Sequence, residues 1–267
     1  MTTHAAPVAA SAVPVAASAV GAEGSVQARL RRLVGTLDAS WQAALEVDED
    51  FLAAYVDLAE VPASSTVLDP KSRALIALAV SAAVTTLDDR GIRTAAVQAR
   101  EAGASLEETL EAVHLVSVLG VHTLATGFPL LSDVMAQRGR PLVDDAPLTP
   151  EQAQIRADFE SRRGYWSDLN EIQVRMDPAW FRAYTAFSSH PWLNGSLSPK
   201  LRELIYIAID LSPTHLFTAG VRPHIENALR YGATAAELIE TLEVTALVGI
   251  SSLRAAVLIL CEVFDEG

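Results

Sequence analysis

Leu68-Asp-Pro-Lys-Ser-Arg-Ala-Leu-Ile-Ala-Leu-Ala-Val80 recurs as Leu197-Ser-Pro-Lys-Leu-Arg-Glu-Leu-Ile-Tyr-Ile-Ala-Ile209, with 7 of 13 positions identical. The offset of 129 residues then holds without a gap, pairing Tyr55 with Tyr184, Thr85 with Thr214, Leu87 with Leu216, Gly91 with Gly220, Gly103 with Gly232 and Gly120 with Gly249. A single offset over such a span indicates two copies of one unit of about 90 residues, near 48–137 and 177–265.

The local signals in each copy are helical. Asp69-Pro70 and Ser198-Pro199 supply an N-cap followed by a first-turn proline, and Leu201, Leu204, Ile205, Ala208 and Ile209 keep helical spacing. Gly103 and Gly232 terminate the next helix, and Ser105-x-x-Glu108 and Thr234-x-x-Glu237 open another with capping boxes. Strand alternation is nowhere convincing. The expected fold is all-α, two helical units related by pseudo-twofold symmetry. The chain divides into an Ala/Val/Pro-rich, disordered tail at 1–25, a first unit at 26–137, a connector at 138–176 and a second unit at 177–267.

Composition limits the partners. The 267 residues carry 33 acidic against 20 basic side chains, net −13, so nucleic acid and anionic membrane surfaces would repel the chain. The tail repeats Pro-Val-Ala-Ala-Ser-Ala-Val at 7–13 and 14–20 without a basic start, which argues against a secretory signal. Ala112–Ser132 is long enough to span a bilayer, but Gly120 and Pro129 punctuate it, so a soluble pair of buried helices is expected. Cys261 is the one cysteine; it permits no internal disulfide and points to a reducing compartment, the cytoplasm.

Pro199-Lys-Leu-Arg-Glu-Leu-Ile205, followed by His224-Ile-Glu-Asn-Ala-Leu-Arg-Tyr-Gly-Ala-Thr-Ala-Ala-Glu-Leu-Ile-Glu240, closely resembles the carboxymuconolactone decarboxylase and AhpD-like superfamily. The resemblance implies an all-helical fold assembling into trimers or hexamers, and because two fused copies mimic a dimer of single units, a homo-oligomer, such as a trimer of two-copy chains, is expected here. It also implies either thiol-disulfide reduction of the alkylhydroperoxidase type or cofactor-free decarboxylation and isomerisation of a lactone acid. The redox branch needs Cys-x-x-Cys-x-x-x-His, with the dipole of a helix start stabilising a thiolate. Aligned on His224, those cysteine positions hold Phe217 and Gly220, and in the first copy Asp88 and Gly91. The chain thus resembles a cysteine-free, two-copy branch, with no cofactor and with a small carboxylated or lactone substrate.

Differences between the copies mark the candidate site. Glu203, Tyr206 and Asp210 lie along one helix face where the first copy has Ala74, Ala77 and Ser81, and His215 and His224 replace Thr86 and Ala95. Pro223 suggests a first helical turn, which would put His224 near a helix N-terminus as a neutral base. Glu203 or Asp210 then orients it or serves as the acid, Arg222 holds a substrate carboxylate, and Tyr206 donates to a developing enolate oxygen. His122, after the Gly120 break, would complete the second unit's pocket from the end of the first.

Plainer roles compete with each assignment. Glu203 and Asp210 suit a solvated face, Tyr206 core packing, His215 a backbone cap and His122 a satisfied core position, while Arg202 and Arg222, with their counterparts Arg73 and Arg93, suit a structural salt bridge common to both units. Three function classes remain open: a cofactor-free lyase or isomerase; a metal-dependent enzyme using His215, His224, Glu203 and His122; and a non-catalytic binding or assembly module.

Overall fold

The structure, a computed structural model, describes residues 24–143, 146–164 and 166–265, and these contain helices and no strand. The tail expected at 1–25 lies, up to residue 23, outside the described residues. In chain order the α-helices are α1 Val26–Val34, α2 Ala39–Val47, α3 Glu49–Ala63, α4 Pro70–Ala82, α5 Asp89–Glu101, α6 Leu106–Ser117 and α7 His122–Gln137. They continue as α8 Pro150–Arg163, α9 Asp168–Met176, α10 Pro178–Asn194, α11 Pro199–Asp210, α12 Thr218–Arg230, α13 Ala235–Ala246 and α14 Ser251–Asp265. One 3-10 turn, Val118–Val121, joins α6 to α7, and another, Leu247–Ile250, joins α13 to α14.

The punctuation read from the sequence makes these elements. Asp69 and Ser198 cap α4 and α11 by accepting from Ser72 N at 2.9 Å and Leu201 N at 3.2 Å, with Pro70 and Pro199 in the first turn. Both capping boxes form. Gly103 and Gly232 turn with φ of 85° and 83° after α5 and α12, in the left-handed region where a Cβ would be strained. Helix starts recur at the 129-residue offset, α4 with α11, α5 with α12 and α6 with α13. The stretch read as a connector holds α8 and α9, and α9 starts 129 residues after α2.

The main core lies between α4 and α11, where Leu75, Ile76, Ala79, Leu204, Ile205 and Ala208 are fully or almost fully buried. Ion pairs cross this centre reciprocally. Arg202 of α11 donates to Glu111 of α6 at 2.6 Å, and Arg73 of α4 donates to Glu240 of α13 at 2.8 Å. The shared salt bridge expected for these arginines is therefore made by each to the other copy. Two smaller cores flank the centre: Trp41, Leu30 and Leu52 of α1 to α3 gather around Val257 of α14, and Phe159, Val174 and Phe181 pack α8 to α10 together.

The expected pair of buried helices at Ala112–Ser132 is corrected in its second half. Ala112, Leu115 and Val116 of α6 are buried, whereas α7 has no buried residue at all. Hydropathy registers how apolar a segment is, and says nothing about whether its own chain covers it. By length and composition alone, Leu106–Gln137 and Ala235–Asp265 are apolar enough to cross a membrane.

Candidate active site

Helix α11 runs through the centre of the molecule, so every residue from Leu201 to Asp210 is buried. A polar side chain on it has no solvent to face, and a solvated surface is ruled out for Glu203 and Asp210, which are 2% and 1% exposed. Such groups need partners or a chemical role. After α11 the chain reverses through Leu216 at φ 48°, an uncommon conformation for a residue with a Cβ. That reversal returns the Phe217 N–H to the Asp210 carbonyl at 2.7 Å and brings His215 and Phe217 beside the Asp210 carboxyl.

The first half of the site is a histidine-carboxylate pair. His224 Nδ1 lies 2.6 Å from Glu203 Oε2, while Asn227 Nδ2 donates to Glu203 Oε1 at 3.2 Å. A carboxylate at Nδ1 fixes the tautomer with the proton on Nδ1 and leaves Nε2 as the base. The Tyr206 ring stacks on His224 with centroids 4.6 Å apart. Its hydroxyl accepts from Trp192 Nε1 at 3.3 Å and from Arg163, so its own proton remains to donate. Burial raises the Tyr206 pKa and keeps the phenol neutral.

The second half crosses between the units. His122, the first residue of α7, sets Nδ1 2.6 Å from His215 Nε2 and Nε2 3.7 Å from Asp210 Oδ1, with its ring stacked on Phe217 at 3.9 Å. His122 thus joins the second unit's polar cluster from the end of the first. Burial, then the neighbouring His215 and His224, lower its pKa to about 4. Burial also lowers that of His215. Asp210 moves the opposite way: burial lifts it to about 7 against the pull of His224, with Glu203 adding to the rise. Its Oδ2 is buried with no hydrogen-bond partner among the described residues. A Cβ on Gly220 would stand 2.7 Å from the Phe217 ring and 3.0 Å from that oxygen, so the glycine makes room for both.

Two expectations need correction. Arg222 is not brought into the cluster: its side chain is 84% exposed and faces Glu226 on the same helix at 3.9 Å. Pro223 is not in a first turn, because α12 starts at Thr218 and encloses it. The turn at Leu216 lets the helix begin five residues earlier than the proline signals. His224 therefore stands beyond the reach of the terminal dipole, and Glu203 orients it instead. The cation near Tyr206 is Arg163, at the end of α8, in a stretch the sequence presents as a connector. Trp192 and Asn227 also belong to the site. Their signal was the same asymmetry between copies, Ala63 and Gln98 being the counterparts.

The metal set considered from sequence splits in two. Glu203 and His224 pair with each other, whereas His122, Asp210 and His215 offer ligand atoms within 4.8 Å of one another. His122 directs one nitrogen to His215 and the other toward Asp210, so the three would surround a cation only after the imidazole pair opened.

A family model described as the carboxymuconolactone decarboxylase family matches residues 178–262. The crystal structure of a candidate gamma-carboxymuconolactone decarboxylase subunit from Burkholderia xenovorans is similar over 90% of this chain and 96% of that one, with 39% identity and a TM-score of 0.86. No curated protein matches the chain.

Proposed function

The chain belongs to the carboxymuconolactone decarboxylase family, and from that premise we propose that it is a cofactor-free lyase or isomerase acting by proton transfer on a small carboxylated or lactone substrate. The observation that carries the reading is the His224–Glu203 pair at 2.6 Å beside an Asp210 carboxyl raised to about 7. A carboxyl that keeps its proton toward neutral pH beside an imidazole whose Nε2 is left open supplies the acid and the base that proton transfer requires.

His224 Nε2 removes a proton from the carbon next to the lactone carbonyl, and Glu203 stabilises the imidazolium that results. The electron pair moves onto the carbonyl oxygen, where the Tyr206 hydroxyl donates and the Arg163 guanidinium lies close. In isomerisation the proton returns at the far carbon of the shifted double bond. In decarboxylation the bond to the carboxylate breaks in place of a C–H bond, its electron pair moves to the same carbonyl oxygen as carbon dioxide leaves, and the enolate takes a proton from the protonated Nε2 of His224, which the Asp210 carboxylic acid replenishes.

Incubating the purified chain with gamma-carboxymuconolactone in deuterated water tests this. Carbon dioxide release or deuterium incorporation is expected, falling by about 10²–10⁴-fold in His224→Ala, as for a positioned general base. Turnover at the unmodified rate in that variant would overturn the assignment.

A second reading rests on the unpartnered Asp210 Oδ2 beside two imidazoles, a set suited to a divalent transition metal. Stoichiometric metal in the purified protein, with turnover lost to a chelator and restored by that metal, would favour it.

A further inference from the structure

We propose that the first unit carries a second, non-catalytic ligand site: the cavity framed by α4, α5 and the 3-10 turn before α14 takes a small carboxylate with a ring-sized apolar body. The cavity measures about 640 Å³, within the range of small-molecule sites. It occupies the counterpart of the polar cluster, because Ala74, Ala77, Ser81 and Ala95 line it where the second unit has Glu203, Tyr206, Asp210 and His224. Replacing a carboxylate, a phenol and an imidazole by methyl groups removes the acid-base chemistry and opens the space.

Loss of function alone would explain small residues, but not the two large side chains that close this cavity. Trp41 of α2 and Arg254, which α14 contributes from the second unit, line it, and their counterparts at the 129-residue offset are Asn170 of α9 and Ala125 of α7. Arg254 is buried, donates to Asp38 at 2.9 Å and lies 4.6 Å above the Trp41 ring. Trp41 is 1% exposed, and its Nε1–H has no acceptor among the described residues.

Arg73, also on the wall, supplies the second donor. Its bonds to Ser65, Leu68 and Glu240 all pass through Nη1. The Nε–Nη2 edge is thereby left as the planar fork that carboxylates occupy in bidentate fashion. Ala74, Ala77, Val80 and Val248 give the remaining wall its apolar character. Donors on one side and methyl groups on the other select an acceptor-bearing anion with a compact hydrocarbon body. Asp88 and Glu101 also line the cavity, but Asp88 is taken up by the Ser251 hydroxyl and the Arg90 N–H, and no imidazole faces the space, so the ligand is held and not converted.

Benzoate is a suitable probe, titrated calorimetrically into the full chain carrying His224→Ala, so that binding is read without turnover. Saturable binding is expected there, and at least tenfold weaker binding after adding Ala77→Phe, which fills the cavity. Arg73→Lys, which keeps the charge facing Glu240 and removes the fork, should weaken benzoate by about tenfold, and it decides the matter if Ala77→Phe fails to fold. Ala77→Phe alone should keep its turnover. Absence of saturable binding, or binding insensitive to both first-unit substitutions, would overturn the proposal while leaving the catalytic reading of the second unit intact.

Discussion

At the scale of single residues, burial sets the acidity of the site, and opposite shifts leave separable pH signatures. The folded pKa of Asp210 is about 7 against an ordinary 3.8, so between these values the native state holds a proton that the unfolded chain has lost. This contribution weakens the fold as pH rises from 3.8 to 7 and is constant above. His122, at about 4 against 6.5, acts in reverse: the unfolded chain binds the extra proton, and stability grows as pH rises from 4 to 6.5. The stability of Asp210→Asn relative to the parent should therefore increase with pH up to about 7, as chemical denaturation across that range would show. A flat difference would mean that Asp210 is ionised in the native state. In the catalytic reading, turnover also declines above about pH 7 as Asp210 loses its proton, and Asp210→Asn lacks that step. Cys261 is partly buried against the Trp41 core, and Cys261→Ser should leave turnover within about twofold, as expected for a packed hydrophobe; a large loss in a folded variant would revive thiol chemistry.

Among the elements, the reciprocal arginine-glutamate bridges tie α4 to α13 and α11 to α6. Glu111 shows what each bridge must satisfy. It accepts from the Ser196 and Leu197 N–H groups at 2.6 and 2.9 Å as well as from Arg202, and Gly195 passes so close that a Cβ there would overlap the carboxylate. Glu111→Ala leaves a buried guanidinium and two backbone donors unpaired, an arrangement that costs about 3–5 kcal/mol. A denaturation midpoint unchanged in Glu111→Ala would show that the bridge is not holding the units together. The helices themselves were readable because their determinants are local: a proline in a first turn, a hydroxyl three residues before a glutamate, a glycine past the last turn. The start of α12 was not, since Pro223 signals a first turn only when no tertiary contact extends the helix backward through Thr218.

For the whole molecule, the apolar surface of α7 and α14 is the feature left over after folding. Leu130 of α7 and Ile259, Val263 and Phe264 of α14 are 61%, 61%, 61% and 80% exposed; Ile259 and Val263 stand one turn apart on α14, and an exposed apolar helix face of this kind marks an interaction surface. We propose that copies of this chain cover it, in keeping with the trimeric or hexameric assembly implied by the sequence resemblance. Sedimentation at micromolar concentration should then give a species heavier than the 28.5 kDa chain, and Phe264→Glu should shift it toward the single chain. A monodisperse monomer, or a protein that stays in solution only with detergent, would overturn the assembly.

The sequence by itself determined the all-helical class, the 129-residue repeat and the residues that set one copy apart, because caps, periodicity and internal comparison are properties of the chain's order. That comparison singles out Glu203, His224, His215 and Asp210. Tertiary structure alone decided how they combine: Glu203 with His224, and Asp210 with His215 through His122. It also exchanged Arg222 for Arg163 as the cation near Tyr206. The reason is physical. Pairing between distant helices, and the burial that moves Asp210 and His122 in opposite directions, depend on which side chains the packed core shuts away from water, and no local pattern encodes that.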